Sequence, residues 1–214
     1  MAPLTVEIWS DVVCPWCYVG KRRFEKALAA FEHRDEVQLT WRSFELDPNA
    51  PPERETGSAE HLASKYGMTV EEAEQKNADM EQLAKSEGLE YHLDRTRGGN
   101  SFDAHRLVHL AAEQGRGDEV MERLMRAYFT EGEAIGDPET LVRLAMEMGI
   151  DPRGLLGDAY ADAVRADEEL ARRIGIQGVP FFVLDRRFGV SGAQPAELLL
   201  RALDKAWEAR RDAA

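Results

Sequence analysis

The stretch that decides the fold lies at residues 4–17 and reads Leu-Thr-Val-Glu-Ile-Trp-Ser-Asp-Val-Val-Cys-Pro-Trp-Cys. Its first part, Leu4–Trp9, is mostly apolar and is predicted to form a strand. Its end contains the chain's 2 cysteines, Cys14 and Cys17, three positions apart. Pro15 favours the first turn of a helix, because its missing N–H needs no partner there. The stretch therefore predicts a strand that leads through a cysteine pair into a helix, and the spacing favours a redox dithiol.

The residues that follow complete a β-α-β unit. Apolar side chains recur at three- and four-residue steps from Phe24 to Phe31, as on the buried face of a helix. Val37, Leu39 and Trp41 then alternate with polar residues, which indicates a second strand.

Helix signals without a convincing strand fill the next hundred or so residues. Asp47–Pro52 interrupts the strand pattern, and Thr69–Glu72 has the sequence of a capping box. Ser101 is predicted to cap a helix that continues through Glu113, and Asp137 precedes a proline that opens another. We expect four or five helices in this block.

The C-terminal part returns to strands. Phe181–Leu184 and Phe188–Val190 are predicted strands, and Leu198–Trp207 belongs to a last amphipathic helix. A β-α-β half and a β-β-α half must pair in one sheet to bury their apolar faces. The sequence thus predicts an α/β, thioredoxin-like fold with an inserted all-helical domain. We place the thioredoxin-like domain at residues 1–45 and 165–214, and the helical insertion at residues 46–164.

Composition limits the classes of partner. Hydrophobic residues make up 43% of the 214 residues, which is enough for a substantial core. Acidic residues number 40 and basic residues 27, a formal net charge of −13 that argues against nucleic acids and anionic membranes as partners. The sequence has no apolar run of membrane-spanning length, no N-terminal export pattern and no disulfide framework. We therefore expect a cytoplasmic protein, a monomer or homodimer, that acts on thiol- or disulfide-containing proteins or small molecules.

Five segments carry a resemblance to a known family: Ser10–Cys17, Phe44–Pro48, Asn100–Arg106, Gly175–Phe182 and Ser191–Ala193. With them, the whole chain resembles the DsbA-like thioredoxin-fold oxidoreductases, and within these the cytoplasmic FrnE-like branch. The resemblance implies a helical domain inserted in a thioredoxin fold. It also implies a catalytic dithiol at the start of the first helix and a cis-proline loop that faces the dithiol.

The predicted chemistry centres on the dithiol. With Cys14 as helix N-cap, its thiolate would lie where unpaired N–H groups and the helix dipole favour negative charge. Cys14 is therefore the predicted nucleophile, and Cys17, one turn further and more deeply buried, is predicted to resolve the mixed disulfide. Pro15, Trp16 and Asp11 complete the active-site loop, in which the Trp16 ring is expected to shield the dithiol and stack on substrate.

Four more residues are predicted to bind substrate. The resemblance maps the cis-proline onto Pro180, and such a bond would present the Val179 backbone as an edge for an extended substrate. Asn100 and His105 belong to a family-like segment and are predicted to line a cleft near the dithiol. His105 is expected on the polar face of its helix, towards a groove or water.

The charged residues near the dithiol are two acids and a basic run on the first helix. Many thioredoxin-fold enzymes bury an acid beneath the dithiol, but Ile8 stands at that position here, which leaves Glu7 and Asp11 as candidate substitutes for proton handling. The basic run Lys21–Arg23 is predicted to be a solvated helix face.

Other uses of the same residues also fit the sequence. A glutathione-linked transferase or isomerase of an aromatic or polyketide-like molecule would use the site around Cys14, Asn100 and Val179. A binding module would use the dithiol as a redox switch. A zinc site lacks a second ligand pair of suitable spacing. Because the related transferases and isomerases carry serine where Cys14 stands, we favour a disulfide reductase or isomerase with no bound cofactor and no metal, and with glutathione as a candidate co-substrate.

Overall fold

The computed structural model describes residues 3–54, 56–155 and 157–211. The chain forms two units, one made of Met1–Phe44 and Arg165–Ala214 and the other of Glu45–Val164.

The first unit is built on a mixed sheet of four strands, in the order β2-β1-β3-β4. The strands are β1 Leu4–Ser10, β2 Val37–Ser43, β3 Phe181–Leu184 and β4 Phe188–Ser191. Strand β1 runs parallel to β2 and antiparallel to β3, and β3 runs antiparallel to β4. The two halves of the domain therefore meet between β1 and β3, which confirms the predicted thioredoxin-like architecture.

Over the part of the chain that the structure describes there are eight α-helices. They are α1 Pro15–Ala30, α2 Ser58–Tyr66, α3 Val70–Ser86, α4 Phe102–Ala112, α5 Gly117–Arg126, α6 Pro138–Glu147, α7 Ala161–Ile174 and α8 Ala196–Arg211. Helices α2 to α6 lie wholly in the second unit, in agreement with the expected four or five helices. A π-helical segment, Ala127–Glu131, follows α5 directly.

The two faces of the sheet are covered by different helices. Phe24 of α1 stacks on Phe182 of β3, with ring centroids 5.6 Å apart, and Phe182 pairs with Ile8 in the sheet. The Ile8 side of β1 therefore faces α1. Because side chains alternate along a strand, Trp9 faces the other side, where it packs against Ala171 of α7.

Two of the predicted helix starts are as expected, and one differs. The Thr69 hydroxyl accepts from the Glu72 N–H at 3.2 Å, while the Glu72 carboxylate accepts from the Thr69 N–H at 2.8 Å. The Asp137 carboxylate caps α6. Ser101 occupies the N-cap position of α4, but its side chain makes no cap hydrogen bond. The Asn100 side chain caps the start of α4 instead, because its oxygen accepts from the Phe102 N–H at 2.9 Å.

Candidate active site

The dithiol is held at the junction of β1 and α1 by a short loop. The Cys14 N–H donates to the Asp11 carbonyl at 3.1 Å, and the Val13 N–H donates to the Asp11 carboxylate at 3.3 Å. Asp11 is fully buried. Cys14 is the N-cap of α1, and Pro15 occupies the first turn, as the sequence predicts. Asp11 thus shapes the loop that presents Cys14 to the helix N-terminus.

Both cysteines are free thiols, and they are buried to a similar degree, with exposed fractions of 4% for Cys14 and 1% for Cys17. Burial raises the pKa of the Cys17 thiol well above its ordinary value, and the neighbouring Cys14 raises it further. The backbone of Asp11 and the side chain of Ser10 act in the opposite direction. Cys17 is therefore held mainly as a neutral thiol.

The predicted cis-proline loop lies beside Cys14. The Val179–Pro180 bond is cis. The Cys14 Sγ donates to the Val179 carbonyl oxygen at 3.8 Å, within reach of a hydrogen bond from sulfur. Pro180 is buried and Val179 is partly buried. The structure therefore brings together Cys14, Val179 and Pro180 from the two ends of the chain.

Trp16 is the accessible aromatic residue of the active-site loop. Its side chain is 46% exposed, although the cysteines on either side of it are buried. An indole ring in this position offers an apolar surface next to the dithiol. Its contact with substrate stays a prediction.

The structure gives Glu7 a role away from the dithiol. Glu7 lies on the opposite face of β1 from Ile8, and α1 covers the Ile8 face. The Glu7 carboxylate accepts from Arg42 at 3.0 Å and from Arg186 at 3.1 Å. The suggestion that Glu7 replaces the acid beneath the dithiol is therefore wrong, and Asp11 is the acid in the cysteine loop.

The basic run on α1 is not the solvated face that the sequence predicts. Lys21 is only 2% exposed, forms an ion pair with Glu25 and lies 6.0 Å from the centre of the Trp41 ring. Arg23 donates to the Ala193 carbonyl at 2.6 Å. The prediction failed because an adjacent strand and a distant loop supply partners that the helix sequence does not contain.

Two glycines to which the sequence analysis gave no role of their own contact the cis-proline. Gly20 of α1 faces the Pro180 ring and Ala193. The Gly192 N–H donates to the Pro180 carbonyl at 2.8 Å. A glycine inside a helix is itself a signal that something approaches the backbone closely, but the sequence does not show what that is.

Asn100 and His105 both lie in the helical unit. The Asn100 amide donates to the Glu45 carboxylate at 3.2 Å and to the Pro48 carbonyl at 3.4 Å. Asn100 therefore connects two of the family-like segments, and a role in substrate binding stays a prediction. His105 is only 1% exposed, so the expectation that it faces water is wrong. Its place in a cleft near the dithiol also stays a prediction.

Comparison with known families decides the class of protein. The model of the DSBA-like thioredoxin domain matches residues 5–204. The chain belongs to this family. DSBA-like proteins are thiol-disulfide oxidoreductases, and the pair Cys14 and Cys17 provides the dithiol that their chemistry requires.

Two individual proteins are similar to this chain over most of its length. A probable DsbA oxidoreductase from Streptomyces coelicolor, SCO1869, is 49% identical, with a TM-score of 0.91 over 96% of this chain and 90% of its own. The uncharacterized protein YwbO of Bacillus subtilis (strain 168) is 29% identical over 185 residues, which is 84% of this chain and 86% of YwbO.

A more distant structure shares the fold. The cytosolic disulfide reductase DsbM from Pseudomonas aeruginosa is 20% identical, with a TM-score of 0.63 over 99% of this chain and 100% of its own. DsbM has also been solved with GSH.

Within residues 3–54, 56–155 and 157–211, no helix is long and apolar enough to cross a membrane. No group of 3 or more His, Cys, Asp and Glu side chains in the same ranges could hold a metal ion.

Proposed function

We propose that this protein is a cytoplasmic disulfide reductase and isomerase in which Cys14 is the nucleophile and Cys17 the resolving thiol. The observation that carries the proposal is the unequal setting of the two thiols. Cys14 stands at the helix N-terminus and faces the Val179 carbonyl at 3.8 Å, whereas burial raises the pKa of Cys17. In this proposal Cys14 meets the substrate, and burial keeps Cys17 protonated until it resolves the mixed disulfide.

The reaction follows from this placement. The Cys14 thiolate attacks one sulfur of a substrate disulfide, so a Cys14–substrate S–S bond forms, and the other substrate sulfur leaves as a thiolate that takes up a proton. Cys17 then loses its proton and attacks Cys14. The second substrate thiolate leaves, the substrate has gained two electrons, and the Cys14–Cys17 disulfide has formed.

The raised pKa of Cys17 favours isomerisation. Because Cys17 must lose a proton before it can attack, a high pKa lowers the fraction of reactive thiolate and prolongs the life of the mixed disulfide. A long-lived mixed disulfide gives another substrate thiol time to attack it, which rearranges the substrate instead of reducing it.

The backbone edge beside Cys14 supplies a place for the substrate chain. A substrate in extended conformation would pair with the Val179 backbone next to Pro180, as in β-strand addition. We assign Asn100 and His105, together with this edge, to substrate binding. Glutathione is the proposed co-substrate that returns the oxidised pair to the dithiol, with two GSH molecules giving one GSSG. The solved structure of DsbM with GSH and its description as cytosolic support this choice.

Two variants test the order of the thiols. Cys14→Ser should abolish reduction of insulin disulfides, because no nucleophile remains. Cys17→Ser should accumulate mixed disulfides through Cys14, because the resolving thiol is gone. The readouts are turnover in glutathione buffer and mass spectrometry of the trapped adducts.

Equal rates of alkylation of the two thiols in the wild-type protein at neutral pH would contradict this order. A separate assay for turnover of glutathione conjugates checks the transferase alternative. Conjugate turnover without insulin reduction would replace the proposal by that alternative.

A further inference from the structure

Gly20 occupies an unusual place for a glycine. It lies in the interior of α1 and is buried, although glycine weakens a helix compared with alanine. The structure supplies a reason. A Cβ atom at this position would lie 2.8 Å from Cγ of Pro180 and 3.5 Å from Cβ of Ala193. Because the pyrrolidine ring cannot swing aside as a flexible side chain can, an alanine at residue 20 would have to displace Pro180.

A second contact from α1 reaches Ala193 in the same region. Arg23, about one turn after Gly20, donates to the Ala193 carbonyl at 2.6 Å. The preceding residue, Gly192, donates its N–H to the Pro180 carbonyl at 2.8 Å and has a φ of 81°, which favours glycine. Helix α1 thus contacts the cis-proline directly through Gly20 and indirectly through Arg23.

These contacts bear on the gap in which a substrate would bind. Val179 precedes Pro180, and its carbonyl faces the Cys14 Sγ at 3.8 Å. Cys14, Gly20 and Arg23 all belong to the start or body of α1, so the element that presents the nucleophile also sets the position of the backbone edge opposite it.

We propose that Gly20 and Arg23 are positioning residues that hold the Val179 backbone edge at the distance from Cys14 that an extended polypeptide disulfide requires. The proposal rests on the proposed function and narrows its substrate class. Displacement of Pro180 or release of Ala193 would move the edge and weaken main-chain pairing with the substrate. A small disulfide without a peptide backbone does not use that edge and would be unaffected.

The test compares two substrates in Gly20→Ala and Arg23→Ala. One is a peptide disulfide in which each cysteine is flanked by two residues, and the other is bis(2-hydroxyethyl) disulfide. For the peptide disulfide we expect KM to rise about tenfold in each variant, since a misplacement of about 1 Å can cost up to about a hundredfold. For the small disulfide, kcat/KM should stay within about twofold, because the thiols themselves are unchanged.

Matched controls separate positioning from general damage. Arg22→Ala removes a neighbouring arginine of α1 that pairs with Glu25, and Gly157→Ala adds a methyl group with no atom within 4 Å. Both should behave as wild type with both substrates. Arg23→Lys retains a donor and should recover part of the peptide KM. If Gly20→Ala does not fold, the Arg23 variants carry the test by themselves.

The outcomes distinguish this proposal from the proposed function. An unchanged peptide KM in the folded variants, or an equal loss with both disulfides, would overturn the positioning role while wild-type activity still supports the reductase. A wild-type protein that reduces neither disulfide would overturn both.

Discussion

At the scale of single residues, the reactivity of each thiol depends on whether its neighbours stabilise or destabilise the charged thiolate. Burial dominates at Cys17, and the Ser10 side chain, at the end of β1, is one of the groups that oppose the resulting rise in pKa. At the accessible end of the loop, Trp16 separates the cysteines without contributing a charge. Ser10 therefore affects the pKa of the resolving thiol, whereas Trp16 affects the reduction potential of the dithiol.

Ser10→Ala should raise the pKa of Cys17 further, because the variant loses a group that favours the thiolate. Resolution of the mixed disulfide should therefore slow, because a smaller fraction of Cys17 is present as the attacking thiolate. The measurement is the decay of a mixed disulfide formed with a chromogenic disulfide. Ser43→Ala is the control, because Ser43 is the buried register partner of Ser10 on β2. Faster decay in Ser10→Ala would contradict the direction of the shift.

Trp16→His should make the protein a stronger oxidant. A protonated imidazole beside Cys14 would stabilise its thiolate and hence the reduced form. For the wild type we expect a potential between those of thioredoxin and periplasmic DsbA, about −270 and −120 mV. The histidine variant should lie about 30 mV or more higher, which is a tenfold change in the equilibrium constant. Equilibration against glutathione measures both, with Trp16→Phe as uncharged control. A wild-type value at or above that of DsbA would refute the expectation.

At the scale of elements, two helices of the second unit, α3 and α6, begin at an N-cap residue whose side chain accepts hydrogen bonds from the first turn. The Asp137 carboxylate accepts from the Thr140 hydroxyl at 2.7 Å and from the Thr140 N–H at 3.0 Å. These bonds, the hydroxyl first, hold the pKa of Asp137 below its ordinary value of 3.8. A lowered folded-state pKa means that the contribution to stability is complete above pH 3.8 and is lost as pH falls through the lower, folded value.

Asp137→Ala should reduce the free energy of unfolding by about 1 kcal/mol near neutral pH, through the loss of the cap of α6. The difference between wild type and variant should shrink in acid, because the wild-type carboxyl becomes protonated. Urea titrations between about pH 7 and pH 3 measure this. Thr69→Ala removes the neutral cap of α3, so its cost should persist in acid. A pH-independent cost for Asp137→Ala would show that the carboxylate charge does not matter.

At the scale of the whole molecule, the chain leaves the first unit after Phe44 and returns at Arg165. Asp167 lies close to the return and is only 2% exposed. Its carboxylate accepts from Arg42 at 2.8 Å and from the Ser43 N–H at 3.0 Å. Asp167 therefore ties the start of the second segment of the unit to the end of the first. Although burial opposes the charge of Arg42, Glu7 and Asp167 raise its pKa.

Asp167→Ala should lower the free energy of unfolding by about 3 kcal/mol, because it removes the carboxylate that accepts from the Ser43 N–H and one of the two carboxylates around Arg42. Chemical unfolding followed by far-UV circular dichroism measures the loss. Glu169→Ala on the same helix removes an exposed partner of Arg172, and its cost should stay below about 1 kcal/mol. Equal losses of unfolding free energy in the two variants would show that Asp167 does not tie the two segments of the unit together.

The sequence by itself determined the features that depend on neighbours along the chain. Alternation and helical spacing indicate the β-α-β and β-β-α halves, and Cys14 at the N-cap follows from the strand, the loop and Pro15. The capping residues of α3 and α6 are also local, because a cap and its partner are three residues apart. The sequence predicts Asn100 as a site residue, but it does not show that the Asn100 amide donates to Glu45.

Only the tertiary structure decided the features that depend on partners far away in sequence. Lys21 is buried with its ammonium over the Trp41 ring, and Gly20 leaves room for Pro180 from the other end of the chain. Alternation along β1 places Glu7 on the face opposite to Ile8, but it does not show which helix covers each face. A pattern records which side chains share a face, whereas their charge state and chemical use depend on the groups that folding brings against that face.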